Sequence, residues 1–210
     1  PWEITEETLR ENIEGQNLEA IITDLMTTQL GVDMEDLYLN GDEDTDASAE
    51  DYDFLKINDG WIKQFKNGGH VYDASGETSM SLDLFYKTLG KLPNKYNNGK
   101  LRWLMSPRRA QEWELFLLNK VIGQGGAVPD SIYTAPARIP AVECPSLDDA
   151  TIMLTDPKNL IVVNTYGIKI RKTVEGKEAI MMDKRFYVTH LDYDPIVEEL
   201  DATAIITGLK

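Results

Sequence analysis

The stretch from Thr5 to Leu30 carries the spacing of one long helix, and a rod of that length constrains what the rest of the chain can build. Leu18, Ile21, Ile22, Leu25, Met26 and Leu30 recur as a single apolar stripe, while Glu14, Gln16, Glu19, Thr23 and Thr27 lie off it. Thr5 is placed to cap the helix, with Ile4 before it and Leu9 as a staple pair, and Glu6 and Glu7 suit the positive end of the helix dipole. Gly31 is the point at which such a helix continues or breaks. A helix this long is unusual in a globular chain of 210 residues.

The other end of the chain is equally definite. "ATAIITGL" is a short, fully apolar run of the kind that forms a buried strand, and "LIVVN", "GIKIRKTV" and "KEAIMMDKRFYVTHLDYDPIV" before it read as strands, with Glu175, Gly176 and Lys177 turning one hairpin. Between the two ends, "FLKINDGWIKQFKNGG" indicates a short helix or hairpin, and Ser81 to Leu89 a helix opened by a serine cap. "LPNKYNNGK" is turn chemistry leading into a strand at "LRWLM". "SPRRAQEWELFLLNK" then opens a helix, Ser106 as its cap and Pro107 at its first position. Early helices and late strands imply an α+β chain whose two ends share one core.

Charge is distributed unevenly. Net charge is −15, yet ten Asp or Glu residues and no Lys or Arg fall between Asp33 and Asp53, and the remainder carries 26 acids against 21 bases. No basic stripe is dense enough to collect phosphates, which argues against sequence-independent nucleic acid binding. No apolar run approaches the length of about 20 residues that a membrane span requires. Cys144 stands alone, which excludes an internal disulfide framework and a cysteine-rich zinc site.

Within the acidic stretch, Asp42, Asp44 and Asp46 alternate as the first ligands of an EF-hand loop would. The sixth position, which needs glycine for a sharp bend, is Ala47, and the twelfth, which needs a bidentate glutamate, is Asp53. A solvated, gap-filling loop is the better reading, with a calcium-binding module as its rival. His190, Asp192 and Asp194 alternate on a strand and would share one face, as a divalent metal site or any solvated strand face would. Cys144 precedes Pro145 in an apolar loop with no cationic neighbour, so an inert thiol is expected rather than a nucleophile based on His70 or His190. "GQGG" at Gly123 to Gly126 fails as a dinucleotide fingerprint because Val128 occupies the next glycine place and a helix precedes it. No catalytic, cofactor or metal residue is assigned, and no feature supports an unrecognised hydrolase.

The order of these parts resembles the major capsid protein family of tailed bacteriophages, with the Hong Kong 97-type fold. The likeness rests on "ITEETLREN…LEAIITDLMTTQL" running to "LYLNGD", similar to the family's spine helix and following Gly-Asp stretch, and on "LRWLMSPRRAQEWELF", similar to the start of the axial core. It rests also on "GIKIRKTV…RFYVTHLDYDPIVEELDATAIITGL", similar to the terminal strands. "ARIPAV" at Ala137 to Val142 stands where the family tends to show a Gly-hydrophobic-Pro-Val segment, with Arg138 in place of the glycine.

The resemblance implies a peripheral domain with the spine helix at residues 1–74 and 165–195, and an axial domain at 75–164 and 196–210. It implies a structural, non-enzymatic protein that joins copies of itself into hexamers and pentamers of an icosahedral head around double-stranded DNA. Assembly would take place in the bacterial host cytoplasm, with scaffold, portal or decoration proteins as further partners. An encapsulin-type nanocompartment shell shares the fold and is the alternative. Because the chain starts at Pro1, at the spine helix and without the family's N-terminal arm and extended loop, it is expected to be a truncated form, a monomer or small oligomer that does not close shells.

Overall fold

Thr5 ends one element and begins the next. The chain opens with a strand, β1 (Trp2–Thr5), and the Thr8 backbone N–H then donates to the Thr5 hydroxyl at 3.1 Å, capping helix α1 (Glu6–Arg10). The computed structural model describes residues 1–11, 18–77, 79–122 and 135–210, so Glu14, Gln16 and the Gly123 to Gly126 loop lie outside the described residues. Helix α2 runs Leu18–Asn40. It passes through Gly31 and stops at the Asn40-Gly41 pair, not at Leu30. Thr5 does cap a helix, but a strand precedes it, and the helix it opens is the five-residue α1, which ends at Arg10 with Glu11 as its C-cap, and not one continuous rod from Thr5 to Leu30.

The chain divides into two compact units, Pro1–Met34 with Val162–Asp194, and Glu35–Ile161 with Pro195–Lys210. In the first, a sheet has the order β1-β7-β6, where β6 is Leu160–Thr173 and β7 is Lys184–Val197. β1 runs antiparallel to β7 with Trp2 opposite Tyr187, and their rings stack at 5.3 Å. Arg185 of β7 ties the unit together: its guanidinium donates to Glu6 at 2.5 Å and to Glu19 of α2 at 2.7 Å, and Lys172 of β6 also reaches Glu19.

The hairpin differs from its sequence reading. Glu175 to Lys177 do not turn one strand directly into the next; Gly176 instead caps a short helix, α7 (Lys177–Met182), and Asp183 at φ 50° leads into β7. The physical reason is local. Lys-Glu-Ala-Ile-Met-Met is composed mostly of strong helix formers, and the short polar side chain of Asp183 tolerates the left-handed region.

In the second unit a mixed sheet has the order β2-β8-β5-β3-β4. Its strands are β2 (His70–Asp73), β3 (Arg102–Met105), β4 (Ala141–Glu143), β5 (Ile152–Thr155) and β8 (Ala204–Thr207). The closing apolar run therefore enters the middle of the sheet, parallel to β2 and antiparallel to β5. Both of its faces are covered, which is why it carries no polar alternation. Trp103, Met105, Ile152, Leu154, Ala204 and Ile206 face one cluster with Leu84, Phe85 and Trp113. Leu104, Met153 and Ile205 face the other with Leu39, Ile62 and Phe65.

That second cluster draws the end of α2 into the second unit. Leu39 from the end of α2 and Ile62 and Phe65 from α4 (Trp61–Gly68) pack with Ile205, and β2 pairs with β8, so residues 35–74 belong to the unit that holds the closing strand. The chain's two units divide after Met34 and again at Val162 and Pro195.

Two caps behave as their residues dictate. The Leu84 N–H donates to Ser81 at the head of α5 (Leu82–Lys91), and the Arg109 N–H donates to Ser106 at the head of α6 (Pro107–Ile122), both at 3.3 Å. Arg109 itself is buried, and its guanidinium donates to the carbonyls of Asp149 at 2.6 Å and Lys210 at 3.1 Å. The Ser-Pro-Arg-Arg turn thus fastens α6 to the loop before β5 and to the closing segment.

Candidate functional site

The acidic loop follows α2 and surrounds a short helix, α3 (Tyr52–Leu55). Its backbone is pinned by the Asp42 N–H donating to Leu55 at 2.8 Å and the Gly60 N–H donating to Gly41 at 2.8 Å. Gly41 and Gly60 make this closure possible. A Cβ on Gly41 would lie 2.5 Å from the Asn58 carbonyl, and one on Gly60 would lie 2.6 Å from the Leu39 carbonyl.

The carboxylates of the loop do converge, but on an ammonium. Lys63 of α4 places its Nζ 2.7 Å from Asp42, 2.7 Å from Asp44 and 2.7 Å from Asp59. The hydrogen bonds it donates to Asp42, Asp44 and Asp59, in that order, hold the Lys63 ammonium far above the ordinary lysine range, and Lys63 in turn holds the Asp42 carboxyl below its usual value. Asp46, the third alternate acid, turns away and accepts from the Ser48 N–H at 2.8 Å and the Ser48 hydroxyl at 2.6 Å. Asp53 pairs with Lys56. The alternation that reads as a calcium loop is therefore split between a lysine and an Asx turn. Asp59 and Lys63 complete the cluster from outside the loop and are not signalled by it.

His190, Asp192 and Asp194 project from one face of β7 and are all exposed. Thr165 of β6 donates to Asp192. Among the described residues, no group of three or more His, Cys, Asp or Glu side chains is placed to hold a metal ion, and no helix is long and apolar enough to cross a membrane. The Cys144 thiol is pushed up to about 11, first by burial and then by the Glu35 carboxylate, which keeps it protonated at neutral pH.

Large apolar side chains lie open on both long elements of the first unit. On α2 these are Ile21, Leu25, Met26 and Val32, with Leu25 62% exposed. Along β6 they are Ile168 and Ile170, and at the hairpin end Ile180, Met181 and Met182, with Met181 76% exposed. The stripe read from the sequence of α2 is thus wider than the face its own chain covers. Exposed apolar groups in this number mark surfaces that meet another molecule. The arrangement offers apolar surface for binding.

No family model matches the chain. A curated relative, "Putative prophage capsid protein YqbE" of Bacillus subtilis strain 168, is 27% identical over 221 residues, covering 99% of this chain and 67% of the relative. Among solved structures, the satellite phage P4 procapsid including its size determination protein matches at a TM-score of 0.68 and 16% identity, over 100% of this chain and 69% of that one. The capsid of an empty GTA particle matches at 0.70 and 8% identity, over 100% of this chain and 71% of that one. An encapsulin from Synechococcus elongatus is similar at a lower TM-score of 0.58 and 10% identity, over 99% of this chain and 71% of that one.

Proposed function

We propose that this chain is the major shell subunit of a tailed-phage or prophage head, a reading supported by the Hong Kong 97-type capsid fold over the whole chain and by sequence kinship with a prophage capsid protein. The observation that carries this reading is the full-length match of both units to capsid structures. Copies join into hexamers and pentamers that close around double-stranded DNA. The unit built on α2 and the β6–β7 hairpin serves as the peripheral domain, and the unit built on the mixed sheet serves as the axial domain.

The physical chemistry supports such a role. A closed shell needs heterologous interfaces repeated many times, so each contact can be individually modest. Exposed Leu25, Met26, Met181 and Met182 supply apolar area for such contacts. A net charge of −15 repels packaged DNA rather than adhering to it. The protein acts as a structural component with no catalytic step of its own. Scaffold, portal and decoration proteins are its further partners in the virion.

An encapsulin-type compartment is the second reading, favoured by the likeness to the Synechococcus protein. Kinship with a prophage capsid protein argues for the phage head. Electron microscopy of particles from the full-length gene product, with the nucleic acid content measured, separates the two: a head with its packaging partners protects DNA, and a compartment does not.

A further inference from the structure

Two consecutive residues without glycine's freedom occupy the left-handed region, Ala137 at φ 52° and Arg138 at φ 66°. L-side chains disfavour this conformation because Cβ crowds the following carbonyl. The surrounding structure nonetheless leaves the turn no alternative. The Arg138 N–H donates to Ala135 at 3.1 Å and the Ile139 N–H to Pro136 at 3.0 Å. The fully buried Trp103 adds its indole N–H to Pro136 at 3.0 Å and its backbone N–H to Pro140 at 3.0 Å. Ala137 and Ile139 are buried on either side.

Arg138 differs from its neighbours. Its side chain is exposed and, among the described residues, forms no hydrogen bond, ion pair or ring contact. Glycine would meet the backbone demand without strain. No described residue uses this guanidinium, and the position bears a conformational cost. A strained position whose charged group meets no described residue is suited to a contact outside the chain.

We propose that Arg138 is an inter-subunit contact whose guanidinium takes a carboxylate of a neighbouring copy of this chain, a proposal that rests on the reading of the chain as a shell subunit. Charge selects this partner. A second copy presents 36 acidic residues against 21 basic ones, and the planar guanidinium fork suits a carboxylate bidentately. A phosphate backbone is a poorer match, because Arg138 is the only Lys or Arg between Lys120 and Lys158 and phosphate binding draws on clustered bases.

The test uses the full-length gene product as wild type, Arg138→Gly and Arg138→Lys. For the unassembled Arg138→Gly subunit the expected result is a melting temperature higher by about 2–4 °C, together with a critical assembly concentration raised about tenfold. Carbodiimide treatment of Arg138→Lys particles made from isotopically mixed copies is expected to join that lysine to an Asp or Glu of another copy, forming an amide with loss of one water. The proposal is overturned if Arg138→Gly assembles at the wild-type concentration, if its melting temperature falls, or if the cross-link forms only within one chain. A variant that assembles normally but retains less nucleic acid overturns it in favour of phosphate binding. Absence of particles from the wild type would instead defeat the shell reading itself.

Discussion

Substituting Gly60 by alanine tests the tight crossing at the head of α4. A Cβ there would stand 2.6 Å from the Leu39 carbonyl oxygen and 2.8 Å from the Gly41 nitrogen, where ordinary contact begins at 3.4 Å. Both obstacles are backbone, so two chain segments must part. Overpacking of this kind costs about 1–3 kcal/mol. Parting them also weakens the 2.8 Å hydrogen bond from the Gly60 N–H to Gly41, worth about 0.5–1.5 kcal/mol. Gly60 has φ −67° and ψ 168°, which alanine adopts freely, so the smaller entropy of the unfolded alanine chain returns about 0.4–1 kcal/mol. A net loss of roughly 0.5–4 kcal/mol, centred near 2, follows. Gly90 in α5 is the control in the same unit: nothing lies within 4 Å of its Cβ position, and Gly90→Ala is expected to stabilise by about 0.5–1 kcal/mol. Urea unfolding followed by tryptophan fluorescence reads both changes. Equal stability of Gly60→Ala and wild type would refute the close approach of Gly41 and Gly60.

Two further outcomes follow from the loop and the core. Lys63→Met leaves the loop carboxylates without their ammonium and is expected to lower the urea midpoint at neutral pH. The folded Asp42 carboxyl lies below its unfolded value, so the stability it contributes is present above about pH 4 and disappears as pH falls through the depressed folded value; the difference between wild type and Lys63→Met shrinks accordingly below about pH 4. A difference that stays constant down to pH 2 contradicts the pairing. In the core, Phe85 meets Trp113 edge-on at 5.0 Å, and Phe85→Ala is expected to cost about 3–5 kcal/mol. A double-mutant cycle with Trp113→Leu should return a coupling of about 0.5–1.5 kcal/mol, and a coupling of zero would remove the ring contact from the account.

What was legible in the sequence had a local cause. Thr5, Ser81 and Ser106 cap helices because a hydroxyl one residue ahead of a helix satisfies backbone donors that nothing else reaches. The run Ala204–Thr207 shows its central place because a strand covered on both faces cannot alternate. What escaped was decided at a distance. β1, β2, β4 and β5 are three- or four-residue strands whose identity comes from partners far along the chain, such as Trp2 opposite Tyr187 and His70 opposite Ala204.

The candidate sites divide the same way. Asp42, Asp44 and Asp46 announced a carboxylate cluster, but the ammonium that two of them hold comes from Lys63 on the following helix, which no ligand spacing encodes. Conversely, nothing local in the sequence marks Ala137 and Arg138 as left-handed; that needed the values of φ.

The central claim, that this chain is a self-assembling shell subunit, is tested most directly by electron microscopy of the purified full-length gene product. The account predicts closed icosahedral particles whose faces show hexamers and whose vertices show pentamers of this chain. Full-length protein that stays dispersed as single subunits, at concentrations and ionic conditions that allow assembly, would contradict it.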